Sequence, residues 1–163
     1  MSDPVSITYD ERGLAPCIVQ DADSGEVLML AYVNETALER TRATGELHFF
    51  SRSRQELWHK GETSGNVLRV QALRFDCDRD AVLALVRPAG PACHTGERTC
   101  FHNGEVQARS PHEALADLTR TIAARAATRP ERSYTAQLLA DPGRVGEKVL
   151  EEAEEVTRAA REE

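Results

Sequence analysis

The sequence predicts an α+β fold with mainly antiparallel strands and one helix, followed by a truncated all-α segment. Before about residue 106, apolar residues fall in short runs bounded by turn-forming residues, which is typical of strands. Beyond that point the chain is rich in Ala, Glu and Arg, and its apolar residues recur at helical spacing. These two patterns predict a first domain over residues 1–106 and a helical segment over residues 107–163.

The first domain begins with a predicted hairpin and helix. Apolar runs at 17–20 and 27–33 flank an Asp-Ala-Asp-Ser-Gly turn, which is a hairpin pattern. Asn34 is the predicted N-cap of a helix over residues 35–44, and Gly45 is its predicted end. Further strands are predicted over 47–51, 67–75 and 81–86, where residues alternate or form short apolar runs.

The second segment carries helix signals only. Ser110-Pro111-His112-Glu113 has the N-cap, first-turn proline and glutamate of a capping box. Helical spacing follows in Leu115, Leu118, Ile122 and Ala126, and Pro130 ends this helix. Another helix is predicted over 144–161, with an apolar stripe formed by Val145, Val149, Val156 and Ala160.

Composition excludes several classes of protein. The net charge of −7 disfavours a broad nucleic-acid binder, because such proteins are normally basic. No apolar stretch approaches the ~20 residues of a membrane span, and the first residues lack the pattern of a secretory signal. Four cysteines are too few for a disulfide scaffold. We therefore expect a cytoplasmic protein that binds neither nucleic acid nor membranes.

The segment Asp76-Cys77-Asp78-Arg79-Asp80 is the first candidate site. On an extended strand its three carboxylates would share one face and Cys77 would lie on the other. Such a set suits a hard divalent cation such as Mg²⁺. An EF-hand is excluded, because Ala81 and Arg87 stand where it needs Gly and Glu. The alternative is an acidic, solvated turn.

Three cysteines form the second candidate site. Cys77, Cys93 and Cys100 fall within 24 residues, and thiolates are favoured protein ligands of Zn²⁺. Cys93 and Cys100 are plausible partners on one ion, and the third ligand is Cys77, His94 or His102. The spacing matches neither zinc fingers nor zinc nucleoside deaminases. Two core cysteines beside a surface histidine would be the alternative without metal.

A third cluster is basic and rich in hydroxyl groups. It joins Ser51-Arg52-Ser53-Arg54 to the segment from Lys60 to Asn66, which contains Thr63, Ser64 and two glycines. Arginine supplies forked donors, and glycine lets backbone N–H groups approach an anion. The cluster therefore predicts a phosphate cradle, with a polar hairpin loop as the alternative.

The last candidate lies on the C-terminal helix. At ~100° per residue, Glu152 borders the apolar stripe and Glu155 lies one step outside it. Carboxylates at such an edge often bind metals in helical bundles. The alternative is a glutamate-rich helix face that is merely solvated.

The order of these motifs resembles phosphoribosyl-AMP cyclohydrolase, an enzyme of histidine biosynthesis. The resemblance covers roughly residues 10–105 and is carried by the segments 27–35, 50–54, 57–66, 76–80 and 92–101. From about residue 112, the segments 133–138 and 148–155 are similar to the start of phosphoribosyl-ATP pyrophosphohydrolase. That family completes its E-x-x-E helix with a later E-x-x-D helix, so we expect this segment to be incomplete and inactive alone.

The resemblance implies hydrolysis of the N1–C6 bond in the adenine ring of phosphoribosyl-AMP, with zinc-activated water and Mg²⁺. It also implies a homodimer in which Cys77 crosses the interface to the partner's zinc site. The implied Zn²⁺ ligands are Cys77, Cys93 and Cys100, and the implied Mg²⁺ ligands are Asp76, Asp78 and Asp80.

His94 is our candidate base, because it adjoins a zinc ligand. The candidate substrate-binding residues are Ser51, Arg52, Ser53, Lys60, Thr63 and Ser64. Glu152 and Glu155 would form half of a magnesium site. Two other functions are kept open: a structural zinc module, and pyrophosphohydrolase activity in addition to or instead of the cyclohydrolase.

Overall fold

The computed structural model describes residues 6–104 and 111–162 of the chain. The chain separates into two compact units, Met1–Ala108 and Arg109–Glu163. Within the described ranges, no helix is both long and apolar enough to cross a membrane.

The first unit contains six strands and one helix among its described residues. In chain order they are β1 (Ala15–Asp21), β2 (Val27–Val33), α1 (Glu35–Thr44), β3 (His48–Ser51), β4 (Glu56–His59), β5 (Leu68–Phe75) and β6 (Val82–Pro88). Four strands form a sheet in the order β2-β1-β6-β5, and β3 pairs with β4 in a second sheet. Among the strands of the described residues, only the β1–β6 pairing is parallel. The predicted α+β fold is therefore confirmed, although β4 was not predicted.

Helix α1 begins and ends as its sequence indicates. The Asn34 side chain accepts a hydrogen bond of 2.8 Å from the backbone N–H of Ala37. Gly45 adopts φ 71°, and its N–H donates to the carbonyl of Thr41. Both caps satisfy backbone groups that the helix itself leaves unpaired, which fixes its length.

The core lies on one face of the four-stranded sheet, beneath α1. Alternate residues of β1 point into it, because successive side chains of a strand face opposite ways. Ala15, Cys17 and Val19 are fully buried, whereas Ile18 between them is 38% exposed. The core also contains Leu28, Val33, Leu38, Leu47, Phe49, Leu68, Val82, Ala84 and Val86.

In the described part of the second unit the regular elements are all helices, as predicted. Its helices are α2 (Pro111–Thr128), α3 (Tyr134–Ala140) and α4 (Pro142–Glu162). Pro111 begins α2, while the predicted cap Ser110 lies outside the described residues. The short α3 was not predicted, although Ser133 caps it by accepting a hydrogen bond from the Ala136 N–H. The predicted apolar stripes lie on these helices as exposed side chains, including Leu115, Leu118, Val149 and Val156.

Candidate active site

The three aspartates lie in the connection between β5 and β6. We expected an extended chain here, and that expectation is wrong, because residues 77–79 form a bend and Arg79 adopts φ 64°. The bend nevertheless brings one carboxylate oxygen from each of Asp76, Asp78 and Asp80 within 4.8 Å of the others. All three side chains are exposed. An all-oxygen, negatively charged set of this kind fits Mg²⁺.

The carboxylates of this cluster influence one another's protonation. The N–H of Ala81 donates to Asp76 over 3.0 Å, and this hydrogen bond is the main cause of a lowered Asp76 pKa. The pKa of Asp80 is raised, first by its hydrogen bond to Asp76 and then by the charge of Asp78. Negative charge is thus already crowded here, and a divalent cation would relieve it.

Residues 92–100, named here the cysteine loop, hold two of the three predicted zinc ligands. Cys93 N–H donates to the carbonyl of Glu97, and Ala92 N–H donates to that of Arg98, at 3.0 and 3.1 Å. Gly96 turns the chain between them with φ 87°. Cys93 is 6% exposed, while Cys100 at the end of the loop is exposed. The two thiols are close enough to influence each other's protonation.

The surroundings of the two thiols favour one thiolate. The hydroxyl of Thr95 donates to Cys93 Sγ over 3.1 Å, and this bond is the main cause of a lowered Cys93 pKa. Burial and then the neighbouring Cys93 raise the pKa of Cys100. Lys60 is only 9% exposed, and its charge interacts with Cys100 and Cys93. Burial nevertheless lowers the pKa of Lys60. A deprotonated sulfur is the form that binds Zn²⁺, so the donor set fits this ion.

Cys77 lies outside this thiol pair. It is exposed on the aspartate bend, with its Sγ 4.0 Å from an Asp78 oxygen. Among the described residues, the aspartates are the one group of three potential ligands whose donor atoms gather within 4.8 Å. A single described chain therefore does not bring the three predicted zinc ligands together.

Two histidines flank the thiol pair. His94 is exposed, and its Nδ1 lies 3.8 Å from Cys93 Sγ. His102 Nδ1 lies 2.9 Å from the carbonyl of Thr99. His94 therefore adjoins the thiol pair, and its role as the base stays a prediction.

The predicted phosphate-binding residues lie in two loops. Ser51 ends β3, and Arg52 and Ser53 lie in the β3–β4 turn. The Arg52 guanidinium carbon lies 3.8 Å from the centroid of the Tyr32 ring. This turn borders a cavity of about 530 Å³ whose lining includes Tyr32 and Trp58. An arginine above an aromatic ring is held in place without losing its forked donors.

The second loop follows β4. Lys60 N–H donates to the carbonyl of Leu47 over 3.0 Å, and Thr63 and Ser64 are exposed. Gly61 adopts φ 90°, and a Cβ there would overlap the backbone of Asn66. Glycine at this position is therefore required by both conformation and space. The substrate-binding role of these residues stays a prediction.

Comparison with known proteins identifies both parts of the chain. A family model for phosphoribosyl-AMP cyclohydrolase matches residues 29–102, and one for phosphoribosyl-ATP pyrophosphohydrolase matches residues 115–163. The histidine biosynthesis bifunctional protein HisIE of Bacillus subtilis is 51% identical, over 95% of this chain and 76% of the relative. The HisIE proteins of Thermus thermophilus and a Nostoc species are 49% and 48% identical, over 96% of this chain and 74% of each relative. The chain belongs to the HisIE family.

The cyclohydrolase domain of this HisIE chain contains residues that the motifs did not single out. Thr95 contacts a predicted zinc ligand, Tyr32 supports a predicted phosphate ligand, and Arg98 holds the cysteine loop to the β1–β2 hairpin. Thr95 and Arg98 lie inside the cysteine motif, which is a signal that sequence reasoning had available. Tyr32 lies in the segment 27–35 that carries the resemblance, but its contact with Arg52, 20 positions away, has no local signal.

The pyrophosphohydrolase domain of this HisIE chain carries Glu152 and Glu155 on α4. Both side chains are exposed, and Lys148 Nζ lies 3.5 Å from a Glu152 oxygen. Lys148 also pairs with Glu151 at 2.8 Å. Within the described part of this domain, these glutamates join no group of three potential ligands. Their role as half of a magnesium site stays a prediction.

Proposed function

We propose that the first unit opens the adenine ring of phosphoribosyl-AMP by hydrolysing its N1–C6 bond, with Zn²⁺ and Mg²⁺ as cofactors. The observation that carries the proposal is the Cys93–Cys100 thiol pair in a domain that matches the cyclohydrolase model. All four cysteines are free. This fits the reducing cytoplasm, where we place the enzyme.

Cys77, Cys93 and Cys100 would hold the zinc ion, which when bound supplies an acidified water at an open coordination position. Thiolates donate charge to such an ion, and the chain offsets this at two points. Thr95 donates a hydrogen bond to Cys93, and the charge of buried Lys60 interacts with both thiols of the pair. His94, beside Cys93, would take the proton released as water attacks C6.

Asp76, Asp78 and Asp80 would hold Mg²⁺, and the two polar loops would orient the phosphoribosyl groups. Arg52, with its guanidinium supported on Tyr32, presents forked donors suited to a phosphate. Ser51, Ser53, Lys60, Thr63 and Ser64 would add further donors. The 530 Å³ cavity beside the β3–β4 turn is large enough for part of such a nucleotide.

The enzyme would act as a homodimer with a zinc site shared between subunits. Two observations support this. Cys77 does not join the Cys93–Cys100 pair within the described chain. The outer face of the sheet also carries an apolar row, since Ile18 lies beside Leu30 and Leu83 in the strand register. Leu30 is 48% exposed and Ile18 is 38% exposed, and a second copy of the chain would cover them.

The test is turnover of phosphoribosyl-AMP by the purified full chain, followed as formation of the ring-opened imidazole product. We expect activity with both metals present and its loss on chelation. Cys93→Ser should abolish activity, whereas Cys17→Ala, which alters a buried thiol away from the proposed ligands, should leave turnover in place. Absence of turnover with both metals would refute the proposal.

A second activity is proposed because the pyrophosphohydrolase model matches residues 115–163. The substrate would be phosphoribosyl-ATP, which precedes phosphoribosyl-AMP in the same pathway. Pyrophosphate release that Glu152→Gln abolishes and Glu154→Gln leaves intact would support it. No release from the full chain would restrict its function to the cyclohydrolase reaction.

A further inference from the structure

The C-terminal end of the cysteine loop is attached to the β1–β2 hairpin. Cys100 N–H donates to the carbonyl of Leu28 over 2.8 Å, and the Thr99 hydroxyl donates to that of Val27 over 2.8 Å. Val27 and Leu28 begin strand β2. The position of Cys100 is therefore set by the edge of the hairpin.

Arg98 makes the side-chain attachment between the same two elements. Its Nε donates to Glu26 Oε2 over 2.5 Å, and a terminal nitrogen donates to Asp21 Oδ2. One guanidinium thus joins carboxylates from both ends of the hairpin turn. These partners lie 72 and 77 positions away in the sequence, so this contact is tertiary.

The Asp21 carboxylate is itself rigidly held. It is 5% exposed, and its other oxygen accepts hydrogen bonds of 2.8 and 3.0 Å from the N–H groups of Asp23 and Ser24. The Arg98 side chain is 33% exposed. A guanidinium that is two-thirds buried and donates to two fixed carboxylates has little freedom to move.

Because the Arg98 side chain is held by the hairpin, its backbone also positions the residues that carry both thiols. Its carbonyl accepts a hydrogen bond from Ala92, the residue before Cys93, over 3.1 Å. The next pair in the loop joins Cys93 N–H to Glu97. Cys100 follows two positions after Arg98 in the chain. The arginine therefore lies between the two predicted ligands and fixes both relative to the sheet.

We infer that Arg98 is a positioning residue for the metal centre: by clamping Asp21 and Glu26 it pre-sets the separation of the Cys93 and Cys100 sulfurs. The inference rests on the proposed zinc site. Zinc–sulfur bonds of ~2.3 Å tolerate displacements of about 0.2 Å, so a loosened loop must be reordered when the ion binds. That ordering weakens metal affinity even where both ligands are intact.

The experiment measures Zn²⁺ affinity of the reduced, metal-free full chain by competition with a chromophoric chelator. We expect Arg98→Met to bind Zn²⁺ about 10–100-fold more weakly than wild type, the range for residues that orient ligands. Arg98→Lys keeps the charge but not the fork, and should restore part of the affinity. Co²⁺ titration adds a second readout, because the ligand-field bands of the bound ion change shape when the sulfurs are displaced.

Arg87→Met is the matched control. Arg87 also pairs with the hairpin, through both oxygens of Asp23 at 3.0–3.1 Å, but among the described residues its side chain forms no hydrogen bond or ion pair with the cysteine loop. The zinc affinity of the Arg87→Met variant should equal that of wild type. Equal affinity of Arg98→Met and wild type would overturn the inference alone, whereas failure of wild type to bind Zn²⁺ would overturn the proposed site as well. Loss of cooperative unfolding in Arg98→Lys would assign the arginine to the fold as a whole, and would also overturn the inference.

Discussion

Cys17 and Cys93 are both buried thiols, yet their surroundings give them opposite chemistry. Cys17 lies on the core face of β1, and burial raises its pKa to about 12. Cys93 receives the Thr95 hydrogen bond, which lowers its pKa. Because the thiolate is the reactive and metal-binding form, only the second environment suits a ligand.

This difference predicts selective alkylation of the metal-free protein. At pH 8 a thiol of pKa about 12 is ionised in roughly one molecule in 10⁴, so Cys17 should resist iodoacetamide. Cys77, Cys93 and Cys100 should be labelled, which peptide mass spectrometry can quantify. Denaturation should then expose Cys17 to labelling at the rate of a free thiol. Rapid labelling of Cys17 in the folded protein would contradict the prediction.

At the scale of elements, the β1–β2 hairpin depends on one ionised group. Burial raises the pKa of Asp21, but the N–H donors of Asp23 and Ser24, together with Arg98, outweigh it and leave the pKa lowered. A lowered folded-state pKa means that ionised Asp21 stabilises the fold above the ordinary aspartate value of ~3.9. The stabilisation is lost as the pH falls through the lowered value.

We therefore expect the first unit to lose stability steeply as the pH falls below about 4. Asp21→Asn should be less stable at pH 7, by about 1–3 kcal/mol, and should depend less on pH in the acid range. Trp58, the only tryptophan, reports unfolding of this unit in urea by its fluorescence. Asp23→Asn alters an exposed ion pair and should change stability by less than about 1 kcal/mol. Equal acid sensitivity of Asp21→Asn and wild type would refute the assignment.

Elements with local signals were predictable from the sequence, and tertiary contacts were not. Helix α1 was predicted to the residue, because Asn34 and Gly45 act within one turn of its ends. Strand β4 was missed because its four residues become a strand only through pairing with β3. The aspartates were correctly predicted to lie close together, but the predicted backbone conformation was wrong, since a bend rather than a strand brings their carboxylates together. Arg98 was missed as a clamp because both of its acceptors are distant in sequence.

At the scale of the whole molecule, the outer sheet face tests the proposed dimer. Leu30→Lys places a charge in the apolar row beside Ile18, where a partner subunit would bury it without a counter-ion. We expect this variant to sediment as a monomer at concentrations where wild type is a dimer. Leu57→Lys, on the smaller sheet and 36% exposed, should leave the dimer intact. A dimeric Leu30→Lys would exclude this face as the interface.

The proposed sharing of the zinc site between subunits makes a prediction that is tested only by mixing two variants. Cys77→Ser and Cys93→Ser should each be inactive alone, because each removes a ligand from both sites of its homodimer. In a mixed dimer, one site contains both altered residues, while the other combines an intact Cys77 with an intact Cys93. Since random mixing makes half of the dimers mixed, subunit exchange should restore about a quarter of wild-type activity.

The magnitude of the recovery separates the two architectures. If all three ligands came from one chain, every site in the mixture would lack a ligand and activity would stay at zero. Mixing Cys93→Ser with Cys100→Ser is the matched control, because both residues lie on one cysteine loop and both sites of that dimer stay defective. Recovery in the first mixture but not the second would establish that Cys77 acts in trans.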